Sequence, residues 1–226
     1  MTTSGTYAFN PSLGELVIYA YMNIGIRPTS LTQEHMETAR MATNMMLSRW
    51  SNQGVNLWAV DEITTPLVDG QATYAVDPNT VMILDAYIRT GDTDRIITPI
   101  SRTEYASYPR KDQPGFPTTF WFDRTISPTV TLWPVPTTGT GQSLRYYRVR
   151  RIQDAGLTNG QQPEIPYLWL EAFADGLTYR LARVWNPQIA VALKAQADES
   201  YGIASAQNVE NAPTYISPML SGYWRA

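Results

Sequence analysis

The hydrophobic positions of this chain change their spacing twice. From residue 12 to residue 53 they recur every three or four residues, which predicts two helices. From residue 57 to residue 152 the period falls towards two, and glycine and proline interrupt the run, which predicts short strands joined by turns. Helical spacing returns from residue 164 to about residue 208. This order predicts a bundle built from helices on both sides of a strand-rich insertion.

The first two helices carry recognisable start signals. Ser12 and Glu15 form a capping box, in which each side chain accepts the other residue's exposed backbone N–H. Ser30 and Gln33 offer a second box, for a helix that runs from residue 31 to residue 52. Both segments are therefore predicted to be amphipathic helices of the bundle.

The third helical segment, from residue 164 to residue 185, is unusually apolar. Thirteen of the nineteen residues from Tyr167 to Trp185 are apolar or aromatic, which is more than one buried face requires. This helix is therefore either central to the bundle or packed against both its own chain and a neighbour. Asn186 and Pro187 are typical of the N-cap and first position of a fourth helix.

Five side chains on these helices are candidates for a subunit interface. Met41 and Met45 widen the apolar surface of the second helix beyond one stripe. Because flexible methionine also fills gaps in cores, a core role and an intersubunit role are both open. The candidates on the third helix are Trp169, Phe173 and Tyr179.

Seven short strands are predicted between the helices. The turn residues that separate them are typical of an antiparallel sandwich or small barrel. They span residues 57–64, 71–76, 81–89, 94–100, 118–123, 129–134 and 143–152, with a helical turn at 102–108. The predicted fold class is α+β: a helical bundle from N- and C-terminal helices, an inserted antiparallel β-sandwich or barrel domain, and an extended C-terminal tail. The corresponding divisions are residues 1–56, 57–160, 161–210 and 211–226.

The last segment combines proline with large apolar side chains. These side chains are Tyr215, Ile216, Met219, Leu220, Tyr223 and Trp224. A lone domain gains nothing by exposing so much apolar surface, so we expect a partner to cover it. The segment predicts a component of an assembly rather than a solitary enzyme.

Composition narrows the functional classes. The chain has 226 residues, of which 43% are hydrophobic and only 16% are charged, and a formal net charge of −3. That charge does not fit a protein that grips nucleic acid along its length. The absence of cysteine excludes thiol catalysis, disulfides and cysteine-bound metals. No apolar run reaches membrane-spanning length and the first residues lack signal-peptide features, so we expect a protein made in the cytoplasm with no membrane partner.

Candidate catalytic groups are sparse. The single histidine, His35, has no second histidine or cysteine to help it hold a metal, and a structural or solvated role is favoured over a catalytic triad. No phosphate-binding glycine loop or dinucleotide fingerprint occurs, so no cofactor is expected. Carboxylates beside aromatic residues leave a carbohydrate-binding or depolymerising function open. They are Asp61, Glu62, Asp85 and Asp123, near Trp58, Tyr87 and Trp121.

One predicted strand concentrates basic residues among tyrosines. Its arginines fall on both faces of the strand, since side chains alternate along it. Basic and aromatic side chains together can follow a phosphate backbone, whereas arginines can equally pair with carboxylates within the subunit or across an interface. The four arginines are Arg145, Arg148, Arg150 and Arg151.

Several of these features together resemble a known family. The second helix carries Ala39, Arg40, Asn44 and Leu47, and leads through Trp50-Ser51-Asn52-Gln53-Gly54 into the strands. The strand-rich middle and the helix at residues 166–185 then follow in the order that this family shows. The pattern is similar to the head-to-tail adaptors of short-tailed bacteriophages, the tail tubular protein A group.

The resemblance implies a structural protein of the virion, made in the host bacterial cytoplasm and without catalytic residues. Such adaptors sit as a ring, usually a dodecamer, between the portal protein and the tail nozzle protein, and leave a lumen for double-stranded DNA. A closed ring demands contacts between unlike surfaces of neighbouring copies. On this basis the apolar side chains of residues 211–226 are expected to dock on the portal. The alternatives are a carbohydrate-binding or depolymerising phage tail protein and a DNA-binding accessory protein that uses the basic strand.

Overall fold

Two helices open the fold, followed by a strand-rich region with one short helix and then by two further helices. The structure is a computed structural model and describes residues 3–54, 56–137, 141–156 and 160–209. Within these residues the chain forms five α-helices and seven strands, which confirms the predicted α+β class.

The first helix, α1 (Leu13–Asn23), begins as the sequence predicts. The Glu15 backbone N–H donates to the Ser12 hydroxyl at 3.3 Å, and the Ser12 backbone N–H donates to the Glu15 carboxylate at 2.8 Å. Just beyond the helix, Gly25 has φ of +89°, in the left-handed region that favours glycine. The capping box is confirmed.

The second helix, α2 (Gln33–Ser51), begins with a different cap from the predicted one. Its N-cap is Thr32, whose backbone N–H donates to Nδ1 of His35 at 3.2 Å. Ser30 lies instead in a 3-10 turn, Pro28–Ser30, because proline fixes φ at a value that suits such a turn. The predicted box of Ser30 and Gln33 is therefore wrong.

The seven strands form one curled sheet, open like half a barrel, with the order β1-β7-β3-β4-β5-β6-β2. Their bounds are β1 Val60–Pro66, β2 Thr73–Ala75, β3 Thr80–Thr90, β4 Thr93–Pro99, β5 Thr119–Asp123, β6 Thr129–Trp133 and β7 Gln142–Arg150. All pairs are antiparallel except β4 with β5. A single sheet with one parallel pair takes the place of the expected antiparallel sandwich or barrel.

The parallel pair requires a crossover, and the predicted helical turn supplies part of it. Helix α3 (Arg102–Ser107) lies between β4 and β5 in the sequence. At the other side of the sheet, β1 and β7 pair from Val60 with Val149 to Pro66 with Ser143. The chain therefore enters and leaves the sheet on neighbouring strands, as expected of an insertion.

The two remaining helices are α4 (Leu170–Trp185), preceded by a 3-10 turn at Tyr167–Trp169, and α5 (Ala190–Ala206). Helix α4 contacts α1, α2 and α5, so it is the central helix of the bundle. The predicted start of α5 at Asn186 and Pro187 is wrong, because the helix begins at Ala190. Asn186 instead donates its side-chain amide to the Ile24 carbonyl at 3.2 Å, beyond the end of α1.

Two separate apolar clusters form the core. One joins the helices and includes Trp50 and Phe173, and it also takes in Ile152 and Ala155 from the segment after β7. The other lines the inner face of the curled sheet. The side-chain amide group of Asn44 fastens the segment after β7 to α2, through bonds of 2.9 Å to both the N–H and the carbonyl of Ala155. The division of the chain at residues 56, 160 and 210 stays a prediction.

Candidate interaction surfaces

Arg148 is the most enclosed charge on β7, with 7% of its side chain exposed. Its guanidinium donates to both carboxylate oxygens of Asp61, at 2.7 and 3.2 Å, and to the Thr80 hydroxyl at 3.0 Å. It also pairs with Asp77 at 2.9 Å. The bond from the Asn79 backbone N–H, followed by the contact with Arg148, lowers the pKa of Asp77. Arg148 therefore ties β7 to β1 and to the chain around the start of β3.

The other arginines of this region are also paired within the chain. Arg150 donates to both carboxylate oxygens of Glu164, one of them at 2.9 Å, and this contact lowers the pKa of Glu164. Longer pairs of 3.9 Å join Arg145 to Glu62 and Arg151 to Asp154. The basic strand thus forms an intramolecular ion-pair network, in which each of the four arginines faces at least one carboxylate.

His35 has a structural role, as predicted. Its ring stacks on Trp185 with centroids 4.0 Å apart and meets the Tyr21 ring edge-on at 5.3 Å. The Tyr21 hydroxyl donates to the His35 carbonyl at 2.5 Å. Together with its cap bond to Thr32, these contacts place His35 where α1, α2 and α4 meet.

The aromatic residues that favoured carbohydrate binding are half-buried and contact other side chains of the same chain. Trp58 packs on Trp169 with ring centroids 4.7 Å apart, and Trp121 stacks on Tyr105 of α3 at 5.4 Å. The Tyr87 hydroxyl donates to the Glu62 carboxylate. Of the neighbouring carboxylates, Asp61 is bound by Arg148, while Asp85 is exposed and Asp123 is half-buried.

The part of the chain that the structure describes contains no group of three or more histidine or acidic residues that could hold a metal ion. None of its helices has the length and apolar character needed to cross a bilayer. No coordination site is therefore assigned to these residues.

The five interface candidates separate into three groups by exposure. Trp169 and Phe173 are 4% and 0% exposed, and their rings pack on Trp50 with centroids 5.2 and 6.2 Å away, so they offer no surface to another subunit. Tyr179 is half-buried beneath Arg183. The two remaining candidates, Met41 and Met45, are 56% and 58% exposed.

Met41 and Met45 belong to a surface that we call the basic face, formed by Met41, Met45, Arg180, Arg183 and Val184 on α2 and α4. Val184 is 59% exposed. Among the described residues no carboxylate forms a salt bridge with Arg180 or Arg183. Burial, and then repulsion from Arg49 and Arg183, lowers the pKa of Arg180. This face therefore combines exposed apolar surface with unbalanced positive charge.

A second surface, which we call the acidic groove, lies between α1, the 3-10 turn before α4, and α4 itself. Its polar lining includes Glu15, Glu171 and Asp175, and no lysine or arginine occurs among the described residues that line it. Burial raises the pKa of Asp175, whose carboxylate accepts a bond from Gln196 at 3.2 Å. The exposed aromatic and apolar side chains of the groove are Phe9, Tyr19, Tyr167 and Leu168.

Sequence reasoning missed most of these surface residues. The helical spacing of α1 contains a signal for Tyr19, because Tyr19 lies off the buried stripe of Leu13, Leu16 and Ala20. No local pattern shows that Arg180 lacks a carboxylate partner among the described residues, because tertiary packing decides which carboxylates come near a side chain.

The six apolar side chains predicted to dock on the portal lie outside the described residues. They are Tyr215, Ile216, Met219, Leu220, Tyr223 and Trp224. Their role stays a prediction.

Comparison with known proteins places the chain in a family. The family model described as SU10 adaptor protein matches residues 23–219, which is most of the chain. No curated protein matches it. The chain therefore belongs to the SU10 adaptor protein family, whose members are structural proteins of bacteriophages, and its resemblance to a phage adaptor is confirmed.

Proposed function

We propose that this phage adaptor assembles with further copies of itself into a closed ring, a dodecamer, at the portal vertex of the virion. The ring joins the portal protein on one side to the tail nozzle protein on the other. Its lumen lets double-stranded DNA pass during ejection. The protein is made in the host bacterial cytoplasm and acts as a structural part, without a catalytic residue or a cofactor.

The observation that carries this proposal is the surplus of exposed apolar side chains on the helices. The helical core is already filled by the buried stripes of α1, α2 and α4. Large apolar side chains nevertheless remain exposed on four helices, namely Tyr19, Met22, Met41, Met45, Val184, Val191 and Ile203. A ring subunit contacts a neighbour on each of two sides, so apolar surface on several helices suits it.

The charges support passage of DNA rather than tight binding. A protein that holds DNA presents many cations to phosphates, and its affinity then depends steeply on salt. Here the four arginines of the basic strand are already paired with carboxylates of the same chain, and the formal net charge is −3. A ring of subunits with this net charge repels the DNA backbone weakly and leaves it free to slide.

Attachment to the portal is assigned to the last sixteen residues. Six apolar side chains there would fill apolar pockets of the portal, and they are Tyr215, Ile216, Met219, Leu220, Tyr223 and Trp224. Aromatic anchors of this kind supply much of the binding energy at protein interfaces.

The test is co-sedimentation with the portal protein from the same genome. We expect the full chain to bind the portal, and a chain that lacks residues 211–226 to lose binding by at least a hundredfold. The shortened chain should keep the unfolding temperature of the full chain, because both core clusters lie within residues 13–204. Equal binding by the two chains would contradict the assignment of the tail.

A second pair of variants tests the anchors with little change to the chain. Tyr223→Ala combined with Trp224→Ala should weaken portal binding, whereas Ser221→Ala should leave it unchanged. If neither the full chain nor any variant bound the portal while both proteins were folded, the adaptor function itself would be contradicted. Saturable binding of glycans by the full chain would then favour the carbohydrate-binding alternative.

A further inference from the structure

Two surfaces of the helical domain carry opposite charges that the described residues do not neutralise. On the basic face, Arg40 pairs with Glu37 at 3.0 Å, so the unbalanced cations are Arg180 and Arg183. Arg180 is half-buried, so the lack of a carboxylate partner among the described residues is costly for its charge. A carboxylate supplied from outside would relieve that cost.

The acidic groove presents the complementary set. Glu171 is exposed and Asp175 is half-buried, and neither forms a salt bridge within the part of the chain that the structure describes. Tyr19 and Leu168 border these carboxylates with exposed apolar surface. Each surface therefore combines charge of one sign with apolar side chains, and the signs are opposite.

The two surfaces point in different directions from α4. Asp175 and Arg180 are five residues apart on this helix, which turns them about 140° from each other at 3.6 residues per turn. One copy therefore cannot bring its own basic face into its own acidic groove. Two copies can do so, and the pair then keeps one free acidic groove, on the first copy, and one free basic face, on the second.

We propose that the basic face of one copy docks in the acidic groove of the next copy. The contact is heterologous, because it joins unlike surfaces, and such contacts repeat around a ring until the ring closes. This inference rests on the proposed ring, and it goes beyond it by assigning both surfaces of the subunit contact and the charges that set its direction.

The alternative occupant of the basic face is the segment that follows α5. Residues 210–226 contain one acidic side chain, Glu210, and one basic side chain, Arg225. The segment therefore offers a single side-chain carboxylate and no net negative charge against the two cations Arg180 and Arg183. A second copy supplies two carboxylates, Glu171 and Asp175, beside apolar surface of its own.

Chemical cross-linking tests the contact directly, because the chain contains no cysteine. Met45→Cys labels the basic face and Leu168→Cys labels the acidic groove, and both positions are exposed. Full-length single variants are mixed and treated with a bismaleimide. We expect cross-linked pairs of one Met45→Cys chain with one Leu168→Cys chain, and a ladder of oligomers from the double variant.

Ile126→Cys is the matched control, since this residue is 97% exposed between β5 and β6, away from both surfaces. Its yield of cross-linked product gives the background from random collisions. Pairs of Met45→Cys with itself, or of Leu168→Cys with itself, in excess over that background would show a symmetric contact and overturn the proposal. A mixed pair no more abundant than the control would overturn it too.

A charge exchange tests the same contact without cross-linking. Glu171→Arg and Arg183→Glu are changes at exposed positions, so the fold should survive, which thermal unfolding verifies. Each single variant should require at least a tenfold higher concentration to assemble on the portal, because like charges then face each other. The variant with both changes should recover assembly, since opposite charges meet again.

Imaging the same samples separates failure of this contact from failure of the adaptor function. Intact rings on the portal, with no effect of either charge reversal and no mixed cross-link, would reject these surfaces and keep the ring. Absence of a ring from the unmodified chain would reject both proposals.

Discussion

Arg148 joins three parts of the β domain, since its guanidinium reaches Asp61 on β1, Thr80 on β3 and Asp77 in the turn before β3. Bonds between charged groups are stronger than neutral ones, and here the donor is almost fully enclosed. The sequence shows four arginines of similar appearance, and only the packing of neighbouring strands distinguishes this one. Its role is therefore to hold the sheet rather than to bind a polyanion.

Replacing Arg148 by methionine should lower the free energy of unfolding by about 2 kcal/mol, because Asp61 and Asp77 would lose their charged donor. Arg151→Met is the control, as this side chain is exposed and its pair with Asp154 is 3.9 Å long. That change should cost less than about 0.5 kcal/mol. Urea denaturation measures both values, and equal costs would contradict the assigned roles.

The pair of Arg150 and Glu164 makes stability depend on pH. The guanidinium holds the pKa of Glu164 below its ordinary value of 4.5, so the folded state binds a proton at this site less readily than the unfolded state. The stabilisation is therefore fully present above pH 4.5 and is lost as the pH falls through the lowered pKa.

We accordingly expect Glu164→Gln to be less stable than the parent protein by about 1 to 2 kcal/mol at neutral pH. The difference should shrink as the pH falls below 4.5. Urea titrations at several pH values measure it, with the exposed Glu199→Gln variant as control. A difference that stayed constant over this range would contradict the ionic character of the contact.

At the scale of elements, most helices and strands could be predicted from the sequence. The spacing of hydrophobic residues and the positions of turn residues are local signals. The seven strands lie where alternation and turn residues placed them, with ends displaced by a few residues. The starts of α2 and α5 were wrong for different reasons. For α2, Thr32 and Ser30 are both acceptable N-cap residues and lie only two positions apart. For α5, the Asn186 side chain donates instead to the Ile24 carbonyl, 162 residues away in the sequence.

Strand pairing and the direction of each helix face could not be predicted. Pairing of β1 with β7, and the parallel pair β4 and β5, depend on contacts distant in sequence. The apolar excess of α4 had two explanations, and its central position accounts for Trp169 and Phe173, whose side chains are buried by their own chain. Met41 and Met45 remain on the surface, where a partner can reach them.

Two glycines in helices test how tightly these elements pack. Gly202 in α5 has open space around the position of a Cβ atom, so Gly202→Ala should raise the free energy of unfolding by about 0.5 to 1 kcal/mol through helix propensity. A Cβ at Gly176 in α4 would lie 2.7 Å from the sulfur of Met46, a buried residue. Gly176→Ala should therefore raise the free energy of unfolding by less than Gly202→Ala does. Thermal unfolding compares the two, and a larger gain at Gly176 would contradict the close approach of α2 and α4.

At the scale of the whole molecule, the helical bundle is assembled from helices that precede and follow the strands. The pair of Arg150 with Glu164 and the clamp of Asn44 on Ala155 fix the point where the chain returns from the sheet to the helices. Because the helical domain carries the basic face and the acidic groove, the proposed subunit contact involves the helices and leaves the β domain to project from the ring.

The central claim is that this adaptor forms a ring on the portal, and electron microscopy of the full chain mixed with the portal protein from the same genome tests it most directly. We expect a ring stacked coaxially on the portal, with an open lumen and with the helices of neighbouring copies in contact. An undecorated portal, under conditions in which both proteins are folded, would contradict the account.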